Sequence, residues 1–200
     1  MEAFHWLQSD LKAGRGKEKA WKLGEERTVE ARAIKLCERG YHSSPTLFDA
    51  LKYAPGPIAC IVEISEPEGR DEDKFVSRTR RLVAFADVSA ELRQFAIECA
   101  ERALFSEREN GREPDPRSWQ AIEAAKAFLR GEITVEELNA YGDAAYDAYA
   151  AAAAYAAAYA AAYAYAAAAA AADAAAERAW QRETFERLVL PKLMLAAVSA

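Results

Sequence analysis

The chain is poor in the residues that most often carry chemistry. It has two histidines, His5 and His42, and three cysteines, Cys37, Cys60 and Cys99, in 200 residues. No pair of these has the short spacing of a metal knuckle, so no metal site is expected. An odd cysteine count without a CxxC motif points instead to small buried hydrophobes in a reducing compartment. Neither a Walker motif nor a dinucleotide fingerprint is present. A nucleophile pair of Cys37 with His42 would lack an orienting partner and an oxyanion loop. The N-terminus has no basic-then-apolar signal pattern, which makes cytoplasmic residence the expectation.

Excess positive charge is also missing. The net charge is −6, with 15 Lys/Arg against 15 Asp/Glu over residues 1–90 and 11 against 17 over residues 91–200. An acidic second half excludes non-specific nucleic-acid binding, which depends on neutralising phosphates. The basic residues Arg70, Lys74, Arg78, Arg80 and Arg81 are expected to form a solvated edge of mixed charge. Residues 148–172 hold no charge at all, but every one is Ala or Tyr. With no Leu, Ile, Val or Phe to drive insertion, a membrane span is not expected there.

What is present divides the chain into an α+β part, residues 1–89, and an alanine-rich helical part, residues 90–200. The expected fold is a small mixed α/β N-terminal domain followed by a C-terminal helical bundle. Ala3–Leu7 reads as an opening strand, followed by a polar, lysine-rich loop to about Glu26. Thr28–Leu36 fits a strand or a short helix. After a strand end at Tyr41–Ser43, Ser44 is a good N-cap and Pro45 suits the first helical position. Leu47, Ala50, Leu51 and Ala54 give that helix one apolar face, and Pro55-Gly56-Pro57 ends it. Ile58–Ile64 alternates as a strand does, with Ile58, Cys60, Val62 and Ile64 on one face. An acidic turn over Glu66–Asp73 leads to strand candidates at Phe75–Val76 and Leu82–Phe85, and Asp87 closes the sheet-forming half.

Helices follow. Ser89 can cap one striped by Leu92, Phe95, Ala96, Cys99, Ala103 and Leu104, which stops at Asn110-Gly111. Asp115-Pro116 starts another, buried through Trp119, Ile122, Phe128 and Leu129, which Gly131 ends. Thr134 to Glu137 is a capping box opening a third. From Val135 to Leu190 only Gly142 interrupts helix, and Pro191 is the next hard stop. A straight helix of that span would be roughly 80 Å long, so a break is expected near Gly142 or within Ala166–Ala172. In this tract Tyr141, Tyr146, Tyr149, Tyr155, Tyr159 and Tyr163 cover about half the helix circumference, with Tyr165 elsewhere. Smooth alanine faces and polar-tipped rings suit a packed central helix, or an aromatic stripe for a partner. Flat ice binders need regularly spaced small hydroxyls, which this tract lacks.

Two resemblances rest on these motifs. Gly40-Tyr41-His42-Ser43-Ser44, the Asp49–Gly56 segment, the Val62-Glu63 strand and Asp73–Val76 resemble a family of small phage and bacterial domains of unknown function. That likeness covers roughly residues 1–90 and implies no activity. Residues Cys99–Leu104, Pro116–Ala125 and Leu129–Thr134 are similar to an alanine-rich helical domain of proteins regarded as bacterial immunity proteins, over about residues 90–180. The tyrosines of this tail depart from that pattern.

Three functions remain open. The favoured one is a non-enzymatic binding or interaction protein of phage, prophage or bacterial immunity type, taking a small ligand or a protein partner. Tyr41, His42, Ser43, Ser44, Lys52, Arg78 and Arg80 would bind it, with Ser43, Ser44 and the helix-opening N–H groups as an anion site. That reading needs no cofactor. The alternative looks loosely like the ADP-ribosyltransferase arrangement and would use NAD. His5 would then hold the ribose, Tyr53 would stack on nicotinamide, and Glu63 would stabilise the transition state. The third is structural, a homo-oligomer built through the helical half. The enzyme alternative stands only if His5, Tyr53 and Glu63 converge.

Overall fold

A computed structural model of the chain describes residues 1–14, 18–30, 34–142 and 167–199. Within them the chain is α+β, as the sequence implies, and it falls into two compact units. One is Met1–Leu92 together with Phe185–Ala200, and the other is Arg93–Thr184. The sequence boundary near residue 90 is close to the first division, but the last sixteen residues group with the strands.

The first unit is built on a four-stranded antiparallel sheet in the order β1 (Glu2–Leu7), β4 (Ile58–Ile64), β7 (Thr79–Asp87) and β2 (Glu26–Thr28). A second sheet has the order β3 (Tyr41–Ser43), β6 (Phe75–Ser77), β5 (Gly69–Arg70). Strand β5 forms inside the segment expected to be an acidic turn. A bridge between Phe4 and Ser44 links β1 to the end of β3. Every residue of β4 except Glu63 is buried. Alternation therefore marks its faces without marking which is solvated. Ile58, Cys60, Val62 and Ile64 join Ala3, Leu7, Trp21, Phe75 and Leu82 in one core cluster. Trp6, two positions along from Phe4, instead faces Phe185, with ring centroids 6.1 Å apart, and Phe185 also meets Phe48 at 5.7 Å.

Helix α1 (Leu47–Leu51) is shorter than expected, and its N-cap is Thr46 rather than Ser44. The Thr46 hydroxyl accepts from the Asp49 amide at 3.0 Å. Ser44 cannot cap because its amide and carbonyl are both engaged with Phe4, at 2.9 Å each, which holds it extended. Gly40 is required where it stands. Its φ is +127°, and a Cβ there would lie 2.5 Å from Val76 Cγ2 and 2.8 Å from Ile34 Cγ2.

The helices keep most of their sequence signals. Helix α2 runs over Ser89–Glu109, and Ser89 is capped rather than capping: Asp87 accepts from its amide at 2.9 Å. Asp115 caps α3 (Pro116–Leu129), accepting from the Arg117 amide with Pro116 in the first turn. Thr134 and Glu137 exchange amide bonds of 2.8 and 3.2 Å, a complete capping box, and helix α4 follows over 135–142. In the second unit, Ile97 is the buried residue of α2 and lies outside the stripe expected there. Ala96, Ile97, Ala100, Ile122, Phe128 and Leu138 line an apolar groove of about 530 Å³.

Helix α5 (Ala167–Val198) continues through Pro191, which was expected to stop it. Phe185, Val189 and Leu193 on this helix are fully buried. Their packing outweighs the roughly 3 kcal/mol that an internal proline costs a helix. Gly142 and Ala167–Ala172 are helical, while residues 143–166, where the expected break near Gly142 or Ala166 would also fall, lie outside the described residues. Tyr146, Tyr149, Tyr155, Tyr159, Tyr163 and Tyr165 lie outside the described residues, and Tyr141 is exposed. Among the described residues no helix is long and apolar enough to cross a membrane.

Candidate functional site

The sequence placed a candidate site at the Gly40–Ser44 corner, and β3 does gather polar groups, though on its inner side. Strand period two puts Tyr41 and Ser43 on one face. Arg80 of β7 reaches that face: its guanidinium carbon lies 4.8 Å from the Tyr41 ring centroid and 4.8 Å from that of Trp21. Its Nη1 donates to the His42 carbonyl at 3.0 Å. Arg80 is 3% exposed, and its Nε is buried without a hydrogen-bond partner. Among the described residues no carboxylate pairs with it. Glu18, whose charge favours the cation, is committed to Arg27 at 3.3 Å. Burial holds the Arg80 guanidinium down to about 10 despite that help.

Three more orphaned polar atoms belong to the same core. His5 Nε2, Ser43 Oγ and Trp21 Nε1 are all buried without partners. His5 pairs across the sheet with Cys60, so the two share a face. Burial first, then the charges of Arg80 and His42, hold His5 well below the usual imidazole range, while a backbone hydrogen bond with His42 acts the other way. The Cys60 thiol beside it is pushed up to about 12 by burial. It is inert packing, as expected. Cys37, by contrast, is exposed and has a left-handed φ of 65°.

His42 itself is structural in the way a corner histidine can be. Its Nε2 accepts from the Cys37 amide at 2.8 Å, which supports the turn preceding β3. While the ring is neutral, its proton therefore lies on Nδ1. Ser44 is buried and held through its backbone. The proposed use of Ser43 and Ser44 at a helix N-terminus does not arise, because α1 begins three residues later and has only five residues.

The other candidates lie elsewhere. Lys52 and Tyr53 both bond Asp73, at 2.8 and 2.9 Å, in an exposed cluster with Lys74, 5.0 Å from the Tyr53 ring centroid. The Lys52 hydrogen bond, followed in weight by that of Tyr53, keeps the Asp73 carboxyl below its usual range. Arg78 bonds Glu68 at 2.8 Å. Arg70 lies over Phe75 at 4.9 Å, and Arg81 bonds Glu63 at 3.4 Å. The basic run is thus dispersed into separate local pairs, with Arg80 alone turned inward.

His5, Tyr53 and Glu63 do not converge. His5 is half-buried on the inner face with Arg80, and Tyr53 is exposed beside Asp73. Glu63 alternates away from Cys60 and forms an outer cross-strand row with Glu2, Arg81 and Glu26. That row borders a cleft of about 310 Å³ lined also by Met1, Ser65 and Thr79. The arrangement required for the NAD reading is therefore not assembled.

Sequence reasoning missed Trp21. It sits in the lysine-rich loop expected to be solvated, yet it is 2% exposed and is flanked by Arg80 and by Arg27, 4.1 Å from its centroid. A lone tryptophan in a polar segment was the available signal.

The site and sheets lie within a segment of recognisable kind. Residues 1–94 match the family model of a domain of unknown function, DUF7666, and this segment is similar to that family over all seven strands. No curated protein and no solved structure matches the chain. The protein is thus an α+β chain with an N-terminal domain of unknown function, followed among the described residues by helices.

Proposed function

We propose that the chain is a non-enzymatic binding protein whose N-terminal domain captures a small anionic ligand at Arg80. The observation that carries this reading is a buried guanidinium with one carbonyl hydrogen bond and no carboxylate partner among the described residues. Burying a cation in this way costs several kcal/mol unless it is compensated. The two aromatic rings supply about 0.5–2 kcal/mol each. A halide, or the carboxylate group of a small molecule, would supply the missing counter-charge and accept from Nε. Tyr41, His42 and Ser43 frame this centre, whereas Lys52, Arg78 and Ser44 serve local structure. The resemblances to phage and bacterial domains and to immunity proteins support a role in the cytoplasm of a bacterium or a phage-infected cell. The binding reading requires no cofactor.

The test is thermal unfolding of the full chain with sodium bromide, acetate or phosphate at constant ionic strength, beside Arg80→Met. At a hundred times the dissociation constant an anion adds about 2.7 kcal/mol, or roughly 5–10 °C for a chain of this size. Only the wild type should show that shift, and bromide and acetate distinguish a free ion from a carboxylate. An equal response in Arg80→Met would remove the site.

A further inference from the structure

His5 makes the anion centre more than a single fixed charge. It stands on β1 opposite Cys60 of β4. The Phe4–Ser44 bridge draws β1 beside the end of β3, which brings Ser43 alongside His5. Ser43 shares a strand face with Tyr41, on which Arg80 stacks. Three unpartnered buried atoms, His5 Nε2, Ser43 Oγ and Arg80 Nε, therefore belong to residues of one inner face.

The chemistry of these atoms is unequal. Arg80 Nε can only donate, and the Ser43 hydroxyl can donate or accept. The His42 backbone favours the protonated His5 ring, though less than burial and the neighbouring cations oppose it. In the tautomer that carries its proton on Nδ1, neutral His5 presents a bare lone pair at Nε2, which has no partner. A lone pair repels an anion, whereas the N–H of an imidazolium holds one.

We infer that binding of a small anion at Arg80 is coupled to uptake of one proton by His5, which becomes its second cationic donor. The inference rests on the anion-binding reading above. In this step the proton comes from solvent and adds to Nε2, the N–H then donates to the anion, and no covalent bond to carbon or sulfur changes. Arg80 from β7 and His42 from β3 both oppose a charge on His5. Cys60 from β4 stays a neutral thiol, and Tyr41 faces the centre as a neutral phenol. Among the described groups that face His5, only the His42 backbone favours the imidazolium, and it does not offset burial and the two cations; the incoming anion supplies what is missing.

The experiment titrates the full chain with bromide, and separately with acetate, at constant ionic strength between pH 8 and 6. Apparent affinity should rise about tenfold per pH unit as the pH falls. Adding saturating bromide to weakly buffered wild-type protein at pH 7 should take up one proton per chain, read with an indicator dye. His5→Gln should bind with an affinity independent of pH. The dye measurement needs no variant, so a poorly folded His5→Gln leaves the inference testable. Anion binding with flat affinity and no proton uptake would overturn the role of His5 alone. Absence of binding across the whole range would overturn the anion reading itself.

Discussion

Phe185→Ala should destabilise the N-terminal sheet although it lies 98 residues beyond Asp87, the last strand residue that the family match contains. The side chain is fully buried and meets two rings, Trp6 at 6.1 Å and Phe48 at 5.7 Å. Removing a buried phenylalanine costs about 3–5 kcal/mol, and each aromatic pair adds about 0.5–1.5 kcal/mol beyond burial. Some collapse of the site is expected, so the working figure is about 4–5 kcal/mol. For a chain of this length that corresponds to roughly 10–20 °C in the melting temperature. Urea unfolding followed by tryptophan fluorescence, with Trp6 as a nearby reporter, measures it directly. Glu183→Ala, exposed on the same helix, is the control and should change stability by about 0.5 kcal/mol or less. The same reasoning makes residues 1–94 alone an incomplete unit, without cooperative unfolding. A Phe185→Ala loss below about 1 kcal/mol would refute the placement of this helix on the sheet.

Two further outcomes follow from single residues. Because His5 is held below its ordinary value in the folded state, the unfolded chain binds its proton first. Stability is therefore full above about pH 6.5 and falls by about 1.4 kcal/mol per unit as the pH drops below it. Urea titrations in anion-poor buffer should show that slope in wild type and its removal in His5→Gln; an unchanged slope would place His5 in solvent. Pro191→Ala should stabilise the chain by about 2 kcal/mol, since an internal proline costs a helix about 3 kcal/mol and part of this is returned through the freer unfolded chain. A loss of stability by denaturant titration would mean that α5 does not run through residue 191.

Local signals were legible where one segment decides its own structure. The β4 alternation, the Asp115-Pro116 start and the Thr134/Glu137 box need only near neighbours, and all three formed. Features that depend on distant strands were not. Ser44 has every local mark of a cap, but pairing with Phe4 keeps it extended and hands the cap to Thr46. Arg80 sits in a run of basic residues that reads as solvated, and only β7 alternation combined with Trp21 and Tyr41 turns it inward. Those two rings come from segments 39 and 59 residues away in sequence. Pro191 stops a helix on propensity alone, but the buried row of Phe185, Val189 and Leu193 decides otherwise. At the corner motif itself, the polar groups gather on the inner side of β3, where sequence alone did not place them.

The buried cation is the centre of the functional account, and anomalous diffraction from crystals grown in bromide tests it most directly. The account predicts an anomalous peak within hydrogen-bond distance of Arg80 Nε, between His5 Nε2 and Ser43 Oγ, which is lost in Arg80→Met. An ordered water at that position without anomalous signal, in crystals where bromide binds elsewhere, would contradict it.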